Sequence, residues 1–153
     1  MDTNTEISRK QNEKKNDLSI WNPIKERLAV DWYELSEDDK NIQISQGDVF
    51  FCKLGENIGH EQKGTRPVLV ISDGRYSSNG QAVVIPLTEC RKKPLYTQYK
   101  LCKTKNTFLD KDSTVRTEQI RSVSTSRLTE YKGKIDDQDL KRIKIRLINY
   151  FNL

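Results

Sequence analysis

Cysteine, histidine, proline and long apolar runs are all scarce in this 153-residue chain, and each scarcity excludes something. Cys52, Cys90 and Cys102 are odd in number, widely spaced and free of any Cys-x-x-Cys, so neither a disulfide framework nor a zinc site is indicated and reduced thiols are expected. The single histidine, His60, cannot form a His-x-x-x-His pair, and the carboxylates show no metal-ligand spacing. No cofactor and no metal is therefore expected. The first twenty residues lack an apolar core suited to a signal peptide, and no apolar run is long enough to cross a bilayer, so the expectation is a soluble, cytoplasmic protein without a membrane role. Gly59 and Gly64 have the Gly-x-x-x-x-Gly spacing of a phosphate-cradling loop, but no Lys-Ser/Thr pair follows and the next segment reads as strand, which argues against nucleotide hydrolysis. A nucleophile elbow is also missing.

What is present is charge, unevenly placed. Residues 1 to 46 hold 7 Lys/Arg against 10 Asp/Glu, a net of −3, whereas residues 47 to 153 hold 20 against 12, a net of +8. A basic body suits a polyanion such as nucleic acid, and solubility alone is the plainer reading. The length fits one domain of ordinary size. With 34% apolar and 32% charged residues, part of that length reads as a solvated extension.

Residues 1–17 are rich in Lys, Glu and Asn with little to bury, and a disordered tail is expected. Over residues 18–45 a helical extension is expected: Asn22 can cap, Pro23 suits the first helical position, and Ile24, Leu28, Trp32 and Leu35 fall near one face. Such a helix packs on its own domain or meets a partner. Glu37 to Lys40 and Ser45 to Gly47 read as a linker into the body at residues 46–153. There, Val49 to Leu54, Pro67 to Ser72, Ala82 to Thr88 and Thr114 to Arg121 have strand character, and a helix is expected from about Asp137. Strands separated by glycine turns without intervening helices point to an antiparallel sheet or small barrel.

The most chemically loaded stretch is Gly59-His60-Glu61-Gln62-Lys63-Gly64-Thr65-Arg66-Pro67, a polar loop running into the apolar Val68 to Ile71. It concentrates an imidazole, a carboxylate, amide, hydroxyl and guanidinium where a strand connection needs only turn residues, so it is a candidate phosphate site. Residues 91 to 107 interleave Arg91, Lys92, Lys93, Lys100, Lys103 and Lys105 with Tyr96 and Tyr99, with Phe108 just beyond. Cations beside rings suit a flexible single strand of nucleic acid; a hairpin with a basic solvent face is the structural alternative.

Four separated segments, Gly47 to Phe50, Gly59 to Ile71, Pro86-Leu87-Thr88, and Asp112-Ser113 through Glu118 to Arg121, resemble the MazF/PemK (Kid) toxins of type II toxin-antitoxin systems over roughly residues 46 to 153. The resemblance implies a mainly β fold, an SH3-like small β-barrel with a C-terminal helix, to which this chain adds its N-terminal helical extension. It implies a homodimeric, metal-independent endoribonuclease that cleaves single-stranded RNA, mRNA in particular, at short sequences and is neutralised by a cognate antitoxin. It carries a catalytic pair onto Arg66 and Thr88, and from the Kid branch a histidine, an arginine and a carboxylate onto His60, Arg116 and Glu118. RNA contacts are expected from Gln62, Lys63, Thr65, Lys92, Lys93, Tyr96, Gln119 and Arg121. Metal-free cleavage needs a base for the 2′-hydroxyl proton, donors for the phosphorane and an acid for the leaving 5′-oxygen, and leaves a 2′,3′-cyclic phosphate and a 5′-hydroxyl. Arg66 stays protonated, so charge stabilisation suits it better than proton transfer, which falls to His60 or Glu118. The structural alternatives are an Arg116–Glu118 ion pair, a strand-end Thr88 and an ordinary exposed His60. The same barrel serves CcdB, a gyrase-binding toxin without nuclease activity that relies on a tryptophan near its C-terminus; here the chain ends Tyr150-Phe151-Asn152-Leu153 and both tryptophans are N-terminal. A catalytically silent RNA-binding relative is a third possibility, against which Arg66 and Thr88 together argue.

Overall fold

The computed structural model describes residues 3–77, 79–90 and 93–153. Seven antiparallel strands follow two helices and precede a third: α1 (Thr3–Asp31), α2 (Glu37–Lys40), β1 (Asp48–Gly55), β2 (Gly64–Val70), β3 (Gln81–Glu89), β4 (Gln98–Leu101), β5 (Ser113–Arg116), β6 (Arg121–Ser124), β7 (Leu128–Lys134) and α3 (Asp137–Phe151). The sheet order is β4-β5-β3-β2-β1-β7, with β6 also on β3.

The long strand β3 makes this sheet bend. Its first half pairs with β6, ending at Val84↔Arg121, and its second half with β5, beginning at Leu87↔Val115. Pro86 falls in the gap between these two partners, a place where a strand tolerates the missing N–H. Alternation then gives two apolar faces. Phe50, Cys52, Leu54, Val68, Val70, Val84 and Val123 form one core, and Val49, Leu69, Ile85, Leu87, Leu101 and Val115 form a second, which Leu140 and Ile143 of α3 cover. Helix α3 starts where acidic residues predicted it: Asp136 caps by accepting from the Asp139 amide at 2.9 Å.

The N-terminus differs from expectation. Residues 3 to 17 belong to one 29-residue helix rather than a disordered tail, and Pro23 lies inside α1 rather than opening it. The interior proline forfeits one backbone hydrogen bond. Local pairs Lys10–Glu6 at 2.7 Å and Arg9–Glu13, each one turn apart, support the first turns, and tertiary links hold the middle. None of the α1 residues is fully buried. The expected linker carries the short helix α2, capped by Ser36, and drops Ile44 into the core. The segment 114–121 is not one strand: the turn Thr117–Gln119 separates β5 from β6. Strand β7 went unpredicted because only Leu128 of its pattern is buried. Among the described residues no helix is long and apolar enough to cross a membrane.

The contact between α1 and the sheet centres on Gly55. Its φ of +79° is a left-handed conformation, and a Cβ there would lie 2.1 Å from the Trp21 indole. Gly55→Ala is therefore expected to destabilise the fold by about 1–2 kcal/mol through backbone alone and to dislodge Trp21, read as a lowered Tm with a red-shifted tryptophan emission.

Candidate active site

The loop between β1 and β2 is a small structure of its own. Glu61 folds it by accepting from the Ile58 amide (3.1 Å), Asn57 Nδ2 donates to the Gln62 carbonyl (2.6 Å), and Gly64 leaves the loop at φ +81°. Gln119 latches the far side: its Oε1 accepts from the Gln62 amide (3.0 Å) and its Nε2 donates to the His60 carbonyl (3.2 Å).

Arg66 projects from β2 beside this loop. Its Nε donates to the Lys63 carbonyl (2.8 Å) and its Nη1 to Gln62 Oε1 (2.7 Å), which fixes the guanidinium while three of its five N–H groups remain unclaimed by described residues. Burial and the nearby Arg116 push its pKa down from the ordinary arginine value, without making it a base at neutral pH. Two clefts share Arg66. One, about 450 Å³, is lined by Gly59, His60, Glu61, Gln62, Lys63 and Arg116; the other, about 350 Å³, includes Thr65, Thr88, Lys111 and Ser113.

Arg66 and Thr88 line one cleft from the paired strands β2 and β3. Cys52 stands opposite Arg66, and Thr88 opposite Thr114. The β2–β3 ladder runs Val70↔Val84, Leu69↔Ile85, Val68↔Pro86 and ends there, with Arg66 two residues beyond it on β2 and Thr88 two residues beyond it on β3. Among the described residues the Thr88 hydroxyl makes a single weak bond, 3.4 Å to the Glu89 carbonyl, which leaves it open to a ligand. Cys52, by contrast, is sealed: burial pushes its thiol pKa up to about 11, which leaves it inert.

Arg116 and Glu118 do pair, with Nε–Oε1 at 2.8 Å, and Gln98 Nε2 donates to the same oxygen at 2.7 Å. Burial works to raise the Glu118 pKa, but the bonds from Gln98, its own backbone amide and Arg116 outweigh it and hold the carboxyl below its ordinary value. Glu118 Oε2 is buried and without a partner. Glu118 is thus held as a carboxylate by these bonds and is only partly exposed, whereas the His60 side chain is exposed in the Arg66 cleft.

Other expected contacts are distributed less simply. Lys63 is at the cleft but already paired with Asp17 (3.3 Å) and Glu56 (3.4 Å). Lys93 is exposed, and Lys92 lies outside the described residues. Tyr96 is exposed yet packs on α3, its ring under Arg146 at 4.6 Å and its hydroxyl accepting from Asn149 at 3.3 Å. Arg121 pairs in register with Val84 and lines neither cleft. Within the basic–aromatic stretch Tyr99 donates to Asp139 (2.6 Å), Phe108 packs on Gly133, and Lys100 and Lys105 are paired with Asp112 (2.9 Å) and Asp136 (2.7 Å). Lys111, Ser113 and Gln98 were missed. Only the Asp112-Ser113 segment signalled any of them. Among the described residues no group of three or more His, Cys, Asp or Glu is placed to hold a metal ion.

Comparison with known proteins identifies the family. Residues 45–151 match the model of the PemK-like, MazF-like toxins of type II toxin-antitoxin systems. The endoribonuclease EndoA of Bacillus subtilis (strain 168) is 34% identical over 104 residues, covering 65% of this chain and 87% of that protein. Crystal structures from Deinococcus radiodurans share the fold: MazF (TM-score 0.63, 23% identity, 73% of this chain and 99% of that one) and a MazE–MazF complex (TM-score 0.59, 22% identity, 73% and 98%). Helices α1 and α2 precede the matched region, and the match covers every strand and α3 as far as Phe151. On sequence and fold together, the chain belongs to the PemK-like, MazF-like toxin family of type II toxin-antitoxin systems.

Proposed function

We propose that this chain is the toxin of such a pair, an endoribonuclease that cleaves single-stranded RNA without a metal ion in the cytoplasm. Residues 46–153 form the catalytic domain and act as a homodimer, and a cognate antitoxin neutralises it. The observation that carries the reading is Arg66, immobilised by Lys63 and Gln62 with donors to spare, lining one cleft with Thr88 and another with His60 and Arg116.

In this reading the 2′-oxygen attacks the adjacent phosphorus, a P–O bond forms and the P–O5′ bond breaks. Arg66 donates to the non-bridging oxygens of the phosphorane, where negative charge accumulates, and Thr88 adds a hydroxyl donor. His60 takes the proton of the attacking 2′-hydroxyl and delivers one to the departing 5′-oxygen, so the step balances without water or metal. Glu118 holds Arg116 in place, so that a second guanidinium faces the phosphate without an added conformational cost. Gln62, Lys63, Thr65, Lys93 and Gln119 line or support the RNA path.

A defined single-stranded RNA incubated with the protein in EDTA tests this. Cleavage to fragments bearing 5′-hydroxyl ends is expected. A strict requirement for added magnesium overturns the metal-free mechanism, and intact RNA alongside trapped gyrase favours the CcdB-like alternative.

A further inference from the structure

Helix α1 lies outside the family match, yet a continuous chain of contacts runs from it to Arg66. Lys14 Nζ donates to Glu56 Oε2 at 2.5 Å and to the Asn57 carbonyl. Asn57 in turn donates to Gln62, whose side chain receives Arg66. By a second route Asp17 accepts from Lys63 Nζ, and the Lys63 carbonyl receives Arg66 Nε. Trp21 lies on Gly55, where the loop begins.

We propose that Lys14 and Asp17 are positioning residues, and that α1 is a brace which holds the Glu56–Lys63 loop in the shape that aims Arg66. The inference rests on the endoribonuclease reading. Glu56 is the hinge of the brace: its side chain is only 12% exposed and it receives both Lys14 and Lys63. Both acceptors of Arg66 are loop atoms, so a loop that loosens at Glu56 and Asn57 lets the guanidinium drift. A misplacement of about 1 Å can cost roughly a hundredfold in rate without weakening ground-state binding. An electrostatic screen would behave differently. If α1 served only to neutralise Lys63, removing its charge would strengthen RNA binding and leave turnover alone.

The test uses the full-length protein with Lys14→Met and, as a second lesion, Asp17→Asn, each checked for an unchanged far-ultraviolet spectrum. Hydrogen exchange at the amides of residues 57 to 63 is expected to accelerate, and kcat for a single-stranded RNA to fall by roughly 10- to 100-fold with KM within about twofold. Lys14→Arg is expected to restore both. Unchanged exchange, or a lowered KM at unchanged kcat, overturns the brace. A wild-type protein that cleaves no RNA overturns the endoribonuclease reading instead, and the exchange data then judge the brace alone.

Discussion

Arg66→Ala is expected to lower the single-turnover rate of RNA cleavage by roughly a thousandfold while RNA affinity falls only a fewfold. The guanidinium is already fixed by two hydrogen bonds before substrate arrives, so its remaining donors meet the phosphorane without reorganisation. Those donors act mainly when charge develops, and the loss therefore appears in kcat. Arg66→Lys is expected to recover little, because one ammonium cannot keep bonds to both Lys63 and Gln62 and still span two phosphoryl oxygens. Comparable losses in kcat and affinity would assign Arg66 to plain RNA binding.

The second large effect concerns Glu118. Removing it as Glu118→Ala strips Arg116 and Gln98 of their shared acceptor in a largely buried position, and a loss of about 2–3 kcal/mol in denaturant unfolding is expected. Glu118→Gln keeps an acceptor oxygen and is expected to cost about 1 kcal/mol and less than tenfold in cleavage. A glutamine that abolishes cleavage at full stability would make Glu118 the proton carrier in place of His60. The same residue gives the fold an acid-side limit. Its folded pKa lies below the ordinary 4.5, so its contribution is complete above pH 4.5 and is lost as the pH falls through the lowered value. Glu118→Gln should flatten that part of the stability profile.

How far these residues could be read without coordinates depended on the kind of interaction that places them. Strands β1 to β3 declare themselves by apolar runs, and Arg66 by its position between Gly64 and Pro67 at the start of one. Thr88 was found through resemblance. That it shares a cleft with Arg66 follows from the pairing of β2 with β3, which no local pattern encodes. The Arg116–Glu118 ion pair stood as a structural alternative, and it forms where the turn after β5 brings the two side chains to 2.8 Å. Residues 3 to 17 were unreadable for a related reason. Their composition gives nothing to bury, and what fixes them is a set of charged links to Glu56 and Lys63, some forty residues away. The bond from Tyr99 to Asp139 was equally hidden, because its partner lies on a helix distant in sequence.

The central claim is that the RNA supplies its own nucleophile, held against Arg66 and Thr88. The most direct measurement replaces only the 2′-hydroxyl at the cleaved nucleotide by hydrogen in an otherwise unchanged RNA, with protein in excess and EDTA present. The account predicts that this RNA binds and stays intact, while the unmodified strand yields a 2′,3′-cyclic phosphate. Cleavage of the deoxy-substituted strand at the normal rate would make water the nucleophile and contradict it.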